Sequence, residues 1–213
     1  MSRLRLRAPV TVVPNGVDAP PTSARSDVLP PRSLLFLSRI DRKKGIPMLI
    51  DAAAEIAAPM RDSGWRIFIV GPSEPSYLAE LHRLMQTRNV ADLFEFRPAV
   101  DGVEKWSLLK SAEVMVLPTF SENFGLVIAE ALASGTPVLT TTGTPWRDLQ
   151  TLQCGWWVEP KSAALVDALR EAINLTGEQR RAMGSRGAAL VRERFDWPHV
   201  AEAMIELYRD VIH

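Results

Sequence analysis

Val114-Met115-Val116-Leu117-Pro118-Thr119-Phe120-Ser121-Glu122-Asn123-Phe124-Gly125-Leu126-Val127-Ile128-Ala129-Glu130-Ala131-Leu132-Ala133-Ser134-Gly135-Thr136-Pro137-Val138-Leu139-Thr140 carries a complete structural unit. Residues 114–117 are a short, wholly apolar run closed by a proline, the mark of a strand covered on both faces. Residues 125–133 are long enough and apolar enough for a buried helix, and residues 137–140 form a second strand-sized run. Strand, helix and strand in that order imply a βαβ unit, hence parallel pairing.

The same alternation extends outward on both sides. Strands are expected at residues 10–13, 33–37, 66–70, 93–97 and 156–158. A helix is expected at 46–57, where Leu49, Ala52, Ala53 and Ile56 fall on one face and Pro47 sits in the first turn, where its missing N–H costs nothing. Another is expected at 77–88, with Leu78, Leu81 and Met85 in the same relation. The pattern predicts an α/β fold, a Rossmann-like doubly wound parallel sheet with extra C-terminal helices at 163–173, 177–194 and 197–212. Gly177 and Asp196-Trp197-Pro198 are the breaks between those helices. Pro20, Pro21, Pro30 and Pro31 make 17–32 linker-like. The expected division is an N-terminal segment and linker at 1–32, a Rossmann-like domain at 33–195, and a last helix at 196–213 that packs back on the domain or on a partner.

Composition narrows the class. Of 213 residues, 46% are hydrophobic and 23% charged, which is a globular rather than a disordered balance. Lys+Arg and Asp+Glu are both 25, so the chain lacks the basic excess of a general nucleic-acid binder. Cys154 is the sole cysteine, which excludes an internal disulfide and a multi-cysteine metal site and suits a reducing compartment. No apolar run approaches the roughly 20 residues of a membrane-spanning helix. MSRLRLRAPV is basic but leads into no apolar core of a signal peptide, and is expected to be a solvated tail or a strand of alternating charge.

Ligands of open α/β sheets bind beyond the carboxyl ends of the strands, so chemistry is sought in the segments that follow them. After residue 37 comes Ser38-Arg39-Ile40-Asp41-Arg42-Lys43-Lys44-Gly45. A guanidinium fork beside a mobile ammonium suits a diphosphate, whose charge is spread over several oxygens. Taken alone, the same run is also a solvated charged loop. Glu122 lies in the loop after residue 117, and Glu130 lies inside the apolar helix that follows it. A carboxylate among such neighbours needs hydrogen-bond donors, which the vicinal hydroxyls of a ribose or hexose supply. Between the two glutamates, the backbone at Asn123, Phe124, Gly125 and Leu126 opens a helix whose free N–H groups can receive a phosphate or sugar oxygen. Taken alone, two glutamates around a glycine are also a surface residue and a capping residue.

The run from Glu122 to Val138 resembles the E-x7-E signature of GT-B glycosyltransferases of the group 1 class (family 4). Pro14-Asn15-Gly16-Val17-Asp18 is similar to that family's interdomain segment, Ser38-Arg39 with Lys44-Gly45 to its phosphate loop, and Ile69-Val70-Gly71 to the start of its glycine-proline segment. The resemblance runs from about residue 14 to residue 160. It implies transfer of a hexosyl group, with retention, from a nucleotide diphosphate sugar to an acceptor hydroxyl, with no cofactor and no required metal. Arg39, Lys44 and Glu122 would be the catalytic set: the two cations neutralise the diphosphate, and Glu122 contacts donor-sugar hydroxyls. Glu130 would hold the ribose, and Gly71 would let the chain pass close to the donor. Asn123, Phe124, Gly125 and Leu126 would hold sugar and phosphate, and Arg97 and Pro98 would line the base pocket. The family also has an N-terminal acceptor domain, which the matched stretch does not include; a separate N-terminal domain or self-association is therefore expected among the partners.

Departures from the family pattern are Ser73 in Gly71-Pro72-Ser73-Glu74 and the segment Gly143-Thr144-Pro145-Trp146-Arg147-Asp148. With Cys154-Gly155-Trp156-Trp157-Val158-Glu159-Pro160, the latter is similar to transferases of bacterial cell-surface polysaccharide and lipopolysaccharide. A cytoplasmic location, peripheral at the inner membrane face, follows from that likeness. Two other functions share the donor site: a non-catalytic nucleotide-sugar-binding module, and an epimerase of GT-B type. His82, His199 and His213 are too scattered for a metal site, and Trp146, Trp156 and Trp157 read as packing residues before sugar platforms.

Overall fold

The computed structural model describes residues 11–212. Six strands form one parallel sheet: β1 (Ser33–Leu37), β2 (Arg66–Val70), β3 (Phe94–Arg97), β4 (Val114–Leu117), β5 (Val138–Thr141) and β6 (Gly155–Val158). Their order across the sheet is β3-β2-β1-β4-β5-β6. The chain winds outward in one direction from β1 to β3, then returns to the centre and winds the other way from β4. A crevice opens at that reversal, between β1 and β4, and is where such sheets take ligands.

Among the described residues, nine α-helices accompany the strands: α1 (Ile46–Glu55), α2 (Ala57–Ser63), α3 (Pro75–Thr87), α4 (Gly102–Ser111), α5 (Leu126–Ala133), α6 (Asp148–Thr151), α7 (Ser162–Asn174), α8 (Gly177–Arg194) and α9 (Trp197–Ile212). All five residues of β1 and all four of β4 are buried, as the continuous apolar runs require of central strands covered on both faces. α5 is clamped from outside by α8, whose glycines allow the approach. A methyl on Gly184 would stand 1.8 Å from the carbonyl oxygen of Gly135, and one on Gly187 would stand 2.6 Å from a methyl of Leu132. Thr176 and Gln179 close the start of α8 as a reciprocal capping box.

The structure departs from the sequence expectations where local pattern gave way to packing. The helix expected at 46–57 breaks at Ile56, whose backbone (φ −121, ψ 22) leaves the helical region and starts α2. α4 was not expected, because its sequence GVEKWSLLKS buries four consecutive residues, Trp106 to Leu109, and so shows no clean helical stripe. Residues 11–13 form no strand, and Val10 lies outside the described residues. That segment instead leads to the start of α9: the amide of Val17 donates to the carbonyl of Phe195 at 2.8 Å, and Trp197 Nε1 donates to Asp18 at 2.8 Å. Residues 17–32 are strapped to the domain. Ala24 and Leu29 are buried, and the amides of Arg25 and Val28 donate to the hydroxyls of Ser107 and Ser111 on α4.

Candidate functional site

Three loops at the carboxyl ends of β1, β4 and β5 are bonded into one surface. The carbonyl of Lys43 accepts from the amide of Phe120 at 2.9 Å and from Thr119 Oγ1 at 3.1 Å, tying the β1 loop to the β4 loop. Gly45 (φ 70) completes the contact: any side chain there would meet the carbonyl of Pro118 at 2.0 Å. The amide of Glu122 donates to Gly143 at 2.9 Å, and Thr141 Oγ1 donates to the carbonyl of Thr119, tying the β4 loop to the β5 loop. On the other side, the amide of Ile40 donates to Pro72 at 2.8 Å. Gly71 lies so close to the β1 loop that a methyl on it would meet the carbonyl of Ser38 at 1.9 Å, and its φ of 151 falls in the region favouring glycine.

These loops enclose a cavity of about 340 Å³ at the topological reversal, lined by residues that include Arg39, Lys44, Gly71, Glu122, Gly125 and Glu130. That volume is within the usual range for a small-molecule site, roughly 300–1,000 Å³. Lys44 Nζ lies 2.5 Å from Glu122 Oε1, and the two side chains are only 11% and 16% exposed. Thr119 Oγ1 sits 3.1 Å from the same carboxylate oxygen. Glu130, on α5, is bonded at 2.6 Å by Lys105 of α4. The guanidinium of Arg39 has an Asp41 oxygen at 4.0 Å and is mostly exposed at the mouth. The pocket thus holds three cations and two carboxylates, one net positive charge placed in a half-enclosed space.

The structure brings together Arg39, Lys44, Glu122, Gly71, Gly125, Leu126 and Glu130. Arg97 and Pro98 stand apart from the cavity wall. The Arg97 guanidinium is bonded to Glu95 at 2.8 Å and covers the ring of Phe68, so Ala99 and Val100 face the cavity in their place. Asn123 and Phe124 lie just outside the lining. Phe124 turns its ring into a cluster with Trp146 and Phe195, and its carbonyl accepts from Trp146 Nε1 at 2.5 Å. Trp146 is therefore a packing residue that props the loop from behind. Lys105 is the pocket residue that sequence reasoning missed. The available signal was a lone lysine before the apolar run Trp106 to Leu109, but without α4 nothing aimed it at Glu130. Among the described residues, no three His, Cys, Asp or Glu side chains are grouped as metal ligands.

Residues 25–189 match the family model for glycosyl transferases group 1. The chain belongs to that family. Among its relatives, the D-inositol 3-phosphate glycosyltransferase of Arthrobacter sp. (strain FB24) is 33% identical over 180 residues, covering 84% of this chain and 42% of that protein. Sucrose-phosphate synthase from Thermosynechococcus elongatus superimposes with a TM-score of 0.78 at 31% identity, over 94% of this chain and 52% of that one. The C-terminal domain of a group 1 glycosyl transferase from Francisella tularensis has the same fold, with a TM-score of 0.68 at 24% identity, over 78% of this chain and 86% of that one. The chain spans about half the length of the curated relatives it matches and corresponds to the C-terminal domain of a GT-B group 1 glycosyltransferase. No helix among its described residues is long and apolar enough to cross a membrane.

Proposed function

We propose that this domain binds the nucleotide diphosphate sugar donor of a glycosyltransferase, which moves a hexosyl group to an acceptor hydroxyl with retention. The observation that carries the reading is the convergence of Arg39, Lys44, Glu122 and Glu130 on one cavity at the β1/β4 reversal. A diphosphate leaving group develops charge as the glycosidic bond breaks. Cations already fixed around it stabilise that charge without solvent reorganisation. Lys44 is nearly buried and Arg39 stands at the mouth, so one can meet the inner phosphate oxygens and the other the outer ones. In this reading the two cations take the charge-neutralising role that a metal ion fills elsewhere, and no cofactor or metal is required. Glu130 accepts from the ribose hydroxyls. Glu122 and the α5 N-terminus, at Asn123, Phe124, Gly125 and Leu126, hold the sugar and its phosphate.

The acceptor side belongs to a second domain closing over the carboxyl edge of the sheet. The exposed Trp197, Ile205 and Tyr208 of α9 offer apolar surface for such a neighbour. We place the whole enzyme in the cytoplasm, peripheral at the inner membrane face, in synthesis of a cell-surface polysaccharide. Support for that last step is the likeness of the segment from Gly143 to Pro160 to transferases of that class.

Calorimetric titration of the chain with uridine, guanosine and adenosine diphosphates tests the reading. One of the three is expected to bind, and Arg39→Ala and Glu130→Ala each to weaken it by about 1.5–3 kcal/mol, the worth of a hydrogen bond to a charged group. Absence of binding by all three overturns it.

A further inference from the structure

Lys105 lies outside every stretch that the sequence marks for donor binding, yet its Nζ is 2.6 Å from Glu130 Oε1 inside the pocket. Two features set this pair apart from a chance surface contact. The lysine stands in the first turn of α4, where the unpaired N–H groups carry partial positive charge and disfavour a cation. Glu130 supplies the attraction that offsets this. Its side chain is only 10% exposed and rises from a helix whose other residues are Leu126, Val127, Ile128, Ala129, Ala131, Leu132 and Ala133. A carboxylate there needs a donor. Among the described residues, Lys105 is the side chain that provides one. It does so at a single oxygen, Oε1, which leaves Oε2 with its lone pairs for a ligand.

We infer that Lys105 is a positioning residue that clamps Glu130 so that its second oxygen accepts the ribose hydroxyls of the nucleotide; this rests on the donor-binding reading of the pocket. A glutamate has three rotatable bonds, and fixing one oxygen in advance removes much of the ordering cost that binding would otherwise carry. A second consequence is selectivity: the clamp favours ribose over sugars that lack its hydroxyls, and has no direct part in holding phosphate.

The test compares the ribonucleoside diphosphate that binds best among those of uridine, guanosine and adenosine with its 2′,3′-dideoxy form, by calorimetry on the full chain. Lys105→Met is expected to weaken the ribonucleotide about tenfold or more, as loss of a charged hydrogen-bond network does, and to change the dideoxy form by less than about twofold. Lys105→Arg restores the ribonucleotide. In a Glu130→Gln background, adding Lys105→Met brings no further loss, so the conclusion does not depend on one variant. Equal losses with both nucleotides would overturn the inference, because Lys105 would then act on phosphate or on the fold at large. No loss with either also overturns it. If the unaltered chain binds no nucleoside diphosphate, it is the donor-binding reading that has failed, and the result is seen before any variant is made.

Discussion

Each end of the parallel sheet holds a nearly buried cation–carboxylate pair, and the two pairs differ in what surrounds them. At the carboxyl end, Lys44 meets Glu122 at 2.5 Å; at the amino end, Arg180 of α8 meets Glu113, just before β4, at 2.6 Å. Burial barely distinguishes them: the cation side chains are 11% and 9% exposed. Saturation does. Arg180 also donates to the carbonyls of Ala172 and Leu175 at the end of α7, and its guanidinium lies over the ring of Trp65, 4.9 Å from the centroid. It thereby satisfies helix-end carbonyls that have no intrahelical partner. Among the described residues, the Lys44 ammonium has one bond, to Glu122, and faces an open cavity with donors to spare. A pair whose hydrogen-bonding capacity is used up holds the fold together. A pair with capacity left over beside a cavity is free to take a ligand.

That distinction predicts opposite responses to removing the cation. Arg180→Ala leaves two helix-end carbonyls without that donor and Glu113 with only the amide of Arg32 at 3.4 Å, and breaking a buried pair from one side costs about 3–5 kcal/mol. Urea unfolding is expected to show a loss of that order, with nucleotide affinity of the folded fraction unchanged. Lys44→Met gives the reverse. Glu122 faces the cavity and can take water in place of the ammonium, so stability falls by less than about 1 kcal/mol. Diphosphate affinity falls by about 1.5–3 kcal/mol. A stability loss as large as that of Arg180→Ala would place Lys44 with the structural pair and break the comparison.

The sequence disclosed the carboxyl end better than the amino end, for a physical reason. The candidate site residues there lie on loops directly after strongly apolar strands, so finding β1, β2 and β4 located Arg39, Lys44, Gly71 and Glu122 at once. Glu130 was legible because a charge inside an otherwise apolar helix is conspicuous. Lys105 was not, because its role depends on α4, whose buried positions are contiguous rather than spaced at helical intervals. Arg97 shows the converse: it closes the expected strand, but β3 is an edge strand, and the side chain found a nearer carboxylate in Glu95. The Arg180 network joins α7, α8 and the start of β4, positions 67 residues apart for its ion pair, and no local pattern announces such a meeting.

Cys154 extends the comparison to a titrating group, with the smallest effect. It lies just before β6, at the amino end of the sheet, and is fully buried. Burial pushes its thiol from an ordinary 9.0 up to about 11, since an apolar surround disfavours the thiolate. In the unfolded chain the thiol ionises first, so the folded state is favoured less as the pH climbs. The contribution is intact below pH 9.0 and is lost as the pH rises through about 11. By pH 10 the loss amounts to about 1 kcal/mol, given 1.36 kcal/mol for each unit of separation. Urea unfolding between pH 8 and 10.5 is expected to show this decline in the unaltered chain and a shallower one in Cys154→Ala. Equal slopes would mean that the thiol is as open to solvent in the fold as out of it. The amino end would then hold an accessible reactive group, where the fold otherwise places only saturated ones.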